Sequence, residues 1–265
     1  MQLYALDQTR PIIATQADKK ETYRCPECGA PLKMREGPLR QPHFYHLKAS
    51  STCRQHQKSE EHIRAQLHLL QLIGPQEAEM EAPFPSINRI ADIAWHERKR
   101  IFEIQCSPLS LQEAKERCLD YEKAGYSLLW ILHDRRFNKK NLTAAEHFLR
   151  HHGSYFTNIN KIGIGIFYDQ FELIQGHRRL VKGPKLPVTL SQFFAIPPSS
   201  TLPEPLLQRA AQWKYYCKGD LLERLLKGGT LSYPLNAPPQ KDKRLPLRVL
   251  LFKAYTGLLH WFLKS

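Results

Sequence analysis

Between residues 59 and 133 the spacing of apolar residues changes several times, and each change marks an element. Ile63, Leu67 and Leu70 make a helical stripe over 59–73, with Ser59 placed to cap it, Glu60 and Glu61 in its first turn and Gly74-Pro75 to stop it. A strand is predicted at 77–82. Arg89–Trp95 and Arg100–Gln105 then alternate apolar and polar residues, the period of half-buried strands. A hairpin closing on Glu97-Arg98 pairs His96 with Lys99 and Trp95 with Arg100, and puts Asp92 opposite Glu103. Ser110-Leu111-Gln112-Glu113 is a capping box opening a helix to about Lys123, which Gly125 ends. The apolar run Tyr126–Leu132 reads as a buried strand. Reached through a helix, it can lie parallel to a hairpin strand. The order helix, three strands, helix, strand predicts an α/β fold with a mixed sheet flanked by helices.

Outside this stretch the pattern is looser. Residues 1–57 are polar and turn-rich, and read as a small module with little core of its own. Residues 142–151 read as a helix, and 162–168 with 171–174 as a hairpin, extending the central domain over 58–195. A Pro- and Ser-rich linker over 196–205 leads to two basic amphipathic helices, 205–227 and 246–263, so 196–265 is predicted to be a helical, basic C-terminal region.

Charge narrows the function. The 265 residues hold 39 basic and 25 acidic side chains, a net +14, which favours a polyanionic partner, nucleic acid first. An anionic membrane surface is a rival, reached through Val249, Leu250, Phe252, Leu258, Trp261 and Phe262 on the last helix, although core packing explains those residues equally well. No apolar stretch approaches the ~20 residues that span a bilayer, so stable membrane insertion is not expected. The N-terminal residues lack the pattern of a signal peptide, so a cytoplasmic location is expected. Six cysteines, two of them in a Cys-x-x-Cys pair, fit a metal site better than a disulfide framework.

Two candidate sites follow. Opposite residues on one sheet face bring Cβ atoms to about 4.5–5.5 Å, so Asp92 and Glu103 would repel unless a cation lay between them. Oxygen ligands suit Mg²⁺ or Mn²⁺, and Gln105 points to the same face as Glu103. Acids alternating along an open sheet face are also commonly just solvated. The second site is Cys25-Pro26-Glu27-Cys28-Gly29, followed by His43-Phe44-Tyr45-His46 and Cys53. A closed structural zinc site needs four nitrogen or sulfur ligands, which Cys25, Cys28, His43 and His46 supply. The two-residue gap between the histidines is short, so Cys53 is an alternative ligand, most easily in place of His43. A redox motif would need an adjoining helix in a βαβ context, and a zinc deaminase needs His-x-Glu upstream; neither is present.

Cys25-Pro-x-Cys28, His43-Phe-x-His46, Glu61-His62 on a helix, Arg89-x-x-Asp92 and Glu103-x-Gln105-x-Ser107 occur here in one order. In this the chain resembles the competence protein CoiA family, closely over residues 1–135 and loosely beyond. The resemblance implies a restriction-endonuclease-like domain of the PD-(D/E)xK type. It further implies a role in processing incoming single-stranded DNA and promoting its recombination during natural transformation, with recombination proteins as possible partners. By position, Asp92 and Glu103 are then the metal-binding acids, Glu61 the acid of the first helix and His62 its motif partner. His62 could serve as a base or simply pack or cap. Gln105 occupies the site usually held by lysine, and can orient a water but brings no charge. Ser107 and Arg89 match positions facing the DNA, and the turn residues Arg98, Lys99 and Arg100 offer a basic patch beside the metal, with another at Arg135, Arg136, Lys139 and Lys140. The neutral Gln105 leaves open an alternative, a non-catalytic single-stranded-DNA-binding adaptor that retains the nuclease fold.

Overall fold

The computed structural model describes residues 2–8, 10–38, 40–48, 53, 58–196, 213 and 215–227. The predicted helix over 246–263 lies outside them, as does nearly all of the linker.

Five strands precede the first helix: β1 (Tyr4–Asp7), β2 (Arg10–Ile13), β3 (Tyr23–Arg24), β4 (Pro31–Gly37) and β5 (Arg40–His46), in the sheet order β2-β1-β3-β4-β5. The sequence pattern predicted no strands here. This sheet also has a core of its own, with Ala5, Ala14, Tyr23, Leu32 and Phe44 buried beside Cys25 and Cys53, contrary to the expectation from composition.

Next come α1 (Glu60–Ile73), β6 (Glu79–Phe84), β7 (Arg89–Trp95), β8 (Arg100–Gln105), α2 (Leu111–Lys123) and β9 (Ser127–His133), the predicted order. Both helices begin at the expected caps: Ser59 accepts from the His62 N–H, and Ser110 from the Glu113 N–H. Beyond them lie α3 (Ala144–His151), β10 (Ser154–Thr157), β11 (Phe167–Asp169), β12 (Glu172–Gln175), β13 (Arg178–Lys182), β14 (Leu186–Pro187), β15 (Thr189–Ala195), β16 (Tyr215–Lys218) and α4 (Leu221–Leu226). Seven strands form one mixed sheet in the order β14-β11-β10-β9-β8-β7-β6. Strands β7 and β8 pair antiparallel in the predicted register, Trp95 with Arg100 and Ile93 with Phe102, while β8 and β9 run parallel. The turn lacks glycine because Lys99 itself takes a left-handed φ of 48°.

Side-chain alternation along β9 divides the core. Leu129 and Ile131 join Ile63, Leu69 and Ile73 of α1 on one face. Trp130 and Leu132 face the other way, among Ala114 of α2 and Leu149 of α3. Pro83 sits in β6, an edge strand, where its missing N–H costs no ladder bond to a further strand.

Two expectations fail. The proposed hairpin of 162–168 with 171–174 does not form: β11 pairs with β10 and β14, and β12 pairs with β13. The alternating Ile162 and Ile164 are 72% and 66% exposed, and Gly165 crosses the backbone of Ile159 too closely for a Cβ. The alternation there belongs to a loop. In the predicted helix 205–227, the described residues instead form β16, paired with β15, and only then the short α4.

Candidate functional site

Asp92 sits where the β7–β8 ladder gives way. The paired residues end at Ile93↔Phe102, and the backbone N–H of Ile104 donates to Asp92 Oδ2 (2.8 Å). The carboxylate thus stands in for a strand partner. Its Oδ1 lies 3.0 Å from His62 Nε2 and 3.0 Å from Lys58 Nζ, and accepts from Gln66 Nε2 at 3.2 Å. Burial alone would raise its pKa, but His62 and Lys58 together hold it far below the usual carboxylate range.

Glu103 is gripped from the opposite side of the sheet, so the expected pairing of Asp92 with Glu103 on one sheet face does not form. The ladder ends one residue short of it, and each carboxylate turns to a different helix. Arg117 and Tyr121, one helical turn apart on α2, donate to its two oxygens at 2.5 and 2.7 Å. Burial pushes this carboxyl above the usual glutamate range, Asp92 adds to the rise and Arg117 opposes it. So α1 and its approach hold one acid, and α2 holds the other. Both acids nevertheless line a single cavity of about 800 Å³ with Lys58, His62, Gln105, Ser107, Arg89 and Arg135.

The other predicted residues divide between this cavity and its surroundings. Gln105 Nε2 donates to the carbonyl and hydroxyl of Ser107 (2.9 and 3.1 Å), so its donor is engaged and its acceptor oxygen remains for a water. Arg89 lies among three acids of α2, with Glu113 at 2.8 Å, Asp120 at 2.9 Å and Glu116 at 3.9 Å. Glu61 pairs with Arg135 at 2.9 Å and does not itself line the cavity. The basic turn is also placed apart from it. Arg98 packs over Trp95 and Lys99 over Tyr126, while Arg100 is buried with its guanidinium 3.7 Å from the centre of the Phe193 ring. Arg100 is a packing residue here, because Phe193, Tyr215 and Trp95 close over the hairpin end.

Three cavity residues that hold the acids escaped the sequence reading, Lys58, Arg117 and Tyr121, as did Glu81, which sits behind Lys58. Glu81 Oε1 is 3.1 Å from Lys58 Nζ, its Oε2 is buried without a hydrogen-bond partner, and its backbone holds a left-handed φ of 54° inside a strand. A signal for Lys58 did exist. A cation immediately before a helix N-cap opposes the helix dipole, so acids elsewhere must hold it there.

The second site corrects the ligand set. Cys25, Cys28, His46 and Cys53 place their ligand atoms within 4.8 Å of one another, and no other such group of three or more occurs among the described residues. Cys53 takes the place of His43, as strand geometry requires. Residues 43 and 46 of β5 are an odd number apart and point to opposite faces, whereas His46 shares its face with the core residue Phe44. Cys25 Sγ lies 3.6 Å from Cys53 Sγ, and Cys28 Sγ lies 3.3 Å from His46 Nε2. Three thiols and one imidazole are a soft donor set suited to a tetrahedral metal.

Residues 6–56 match the family model described as competence protein CoiA, N-terminal domain, and residues 58–178 match that described as competence protein CoiA, nuclease-like domain. The chain belongs to the competence protein CoiA family. Both sites fall within the CoiA matches, the whole Cys₃His group in the first, and Lys58, Asp92, Glu103 and Gln105 in the second. No curated protein and no solved structure matches the chain. Among the described residues no helix is long and apolar enough to cross a membrane.

Proposed function

We propose that this chain is a divalent-metal-dependent deoxyribonuclease that hydrolyses phosphodiester bonds of incoming single-stranded DNA and so prepares it for recombination. The observation that carries this reading is the pair of buried acids, Asp92 and Glu103, which line one cavity together with several cations. The donor set fits a hard metal: the two acids at its centre, Asp92 and Glu103, are carboxylates, and beside them Glu81 keeps a buried oxygen without a hydrogen-bond partner. Magnesium or manganese held by Asp92 and Glu103 would polarise a phosphoryl oxygen and lower the pKa of an attacking water. In this reading His62 and the Ile104 N–H fix the Asp92 carboxylate, while Arg117 and Tyr121 fix that of Glu103. Because His62 Nε2 already faces Asp92, it acts as an orienting residue and not as the base. Gln105, anchored by Ser107, presents its amide oxygen to water. Arg135, exposed at the cavity wall, draws the DNA backbone in. The Cys₃His group holds zinc and fixes the fold of residues 1–57, taken as a separate module ahead of the nuclease domain at 58–195.

The test is cleavage of single-stranded DNA by the full chain with and without Mg²⁺, beside Asp92→Asn and Glu103→Gln. Each variant is expected to lose at least about 10²-fold in rate, since several kcal/mol of charge stabilisation rest on the ion. Wild-type rates in both variants would reject the assignment. One observation favours a second reading, a DNA-binding adaptor that retains the nuclease fold without cutting: Lys58 and Arg117 already neutralise both acids. Calorimetric Mn²⁺ binding without cleavage would select it.

A further inference from the structure

Hydrolysis of a phosphodiester accumulates negative charge on the phosphoryl and leaving oxygens, and a fixed cation near the metal stabilises that charge. Gln105 supplies none, and its amide N–H groups are engaged by Ser107. Of the cations lining the cavity, Arg89 is committed to the acids of α2, Arg117 bridges Glu103 and Glu113, and Arg135 is bound to Glu61 with its side chain 65% exposed. Lys58 too bridges two acids, Glu81 and Asp92, but of these cations it is the one on Asp92: its Nζ lies 3.0 Å from Asp92 Oδ1, and its side chain is only 9% exposed.

Its support is unusual. Glu81 holds the ammonium at 3.1 Å from a strand residue in a left-handed backbone conformation, a geometry that costs about 1–3 kcal/mol. Its second oxygen is buried without a hydrogen-bond partner. A buried ion pair built at such cost does little for stability. Strain of this kind collects where a group must be aimed. Ser59, the next residue, caps α1 and fixes where the lysine side chain begins.

We propose that Lys58, held by Glu81, is the cation of the hydrolytic site and contacts the scissile phosphate beside the metal-bound Asp92. The inference rests on the nuclease reading above. Water oxygen bonds to phosphorus as the ester P–O bond breaks. The leaving oxygen departs with the electron pair and takes a proton from solvent, and the water's proton also passes to solvent. Lys58 stays protonated throughout and contributes charge only.

The experiment compares full-length wild type with Lys58→Met, Lys58→Arg and the double variant Lys58→Met/Gln105→Lys. The readouts are cleavage of single-stranded DNA in Mg²⁺, Mn²⁺ affinity by calorimetry, and thermal unfolding. Removing a cation 3.0 Å from the Asp92 carboxylate relieves its repulsion of an incoming ion, so Lys58→Met should bind Mn²⁺ about tenfold more tightly. It should also cleave at least about 10²-fold more slowly. Arginine should retain intermediate activity, and lysine at 105 should recover at least about tenfold. A merely structural lysine would not move rate and affinity in opposite directions. A Lys58→Met protein that cleaves like wild type, or that loses Mn²⁺ affinity together with rate, overturns the proposal alone. A wild type that binds Mn²⁺ but cuts nothing overturns the nuclease reading and this inference with it.

Discussion

Arg117 offers a direct measure of how the acid pair is balanced by its own cations. Its Nη1 lies 2.5 Å from a Glu103 oxygen whose side chain is 2% exposed, and its Nε lies 2.8 Å from Glu113, which is 27% exposed. Replacing Arg117 with Met keeps most of the volume and strands the Glu103 carboxylate next to Asp92. Breaking a buried pair in this way costs about 3–5 kcal/mol, whereas the half-exposed Glu113 arm adds less than about 1 kcal/mol. The sign with pH follows from Glu103. Its folded-state pKa is already above the usual range through burial, and loss of Arg117 raises it further. A carboxyl with a raised folded pKa contributes stability below its unfolded pKa and loses it as pH rises through the folded value. The deficit of Arg117→Met should therefore be about 3–5 kcal/mol at pH 8 and shrink toward about 1 kcal/mol near pH 5, as Glu103 takes up a proton. Urea unfolding at the two pH values measures it. Mn²⁺ at a hundred times its Kd should return about 2.7 kcal/mol, the mass-action gain of an ion that binds the folded chain alone. A loss below about 1 kcal/mol at pH 8, or an equal loss at both pH values, would refute this account of the charge balance.

Two further predictions concern the fold. Zinc measured in purified protein should fall from about one ion per chain toward none in Cys53→Ser and stay unchanged in His43→Ala; the reverse pattern would restore the histidine pair as ligands. Gly165→Ala would place a Cβ 2.5 Å from the Ile159 Cα at a φ of +151°, so a loss of at least about 2 kcal/mol in thermal or urea unfolding is expected, and an unchanged midpoint would contradict the crossing.

Much of the nuclease-like core could be read from residue spacing because its signals are local. Ser59 and Ser110 announce helix starts, Gly74 and Gly125 the stops, and the alternation along β7 and β8 fixes their register. The N-terminal strands were missed because several are only two to four residues long and lie among turns, too short for a period to show. Strand β10 follows α3 after a break of only two residues and offers four residues of pattern. The isoleucines at 162, 164 and 166 imitate a strand, but alternation cannot tell a loop from a ladder when no partner strand exists. At the site, Asp92 and Glu103 could be placed on adjoining strands by counting. Their holders could not, since Lys58, Glu81, Arg117 and Tyr121 meet them only through tertiary packing. Arg117 and Tyr121 did share a helix face with Glu113, which pointed toward the sheet without naming what lay beneath.

The wall between the two sites is thin. Pro26 and Glu27, the residues separating the paired thiols, line the same cavity as Asp92, and Cys53 precedes Lys58 by five positions. A chelator or a thiol oxidant acting on the sulfur-rich group would therefore loosen the brace on one side of the acid pair while leaving every acid intact. On the proposed reading, loss of zinc or oxidation of the thiols would reach the acid pair by that route.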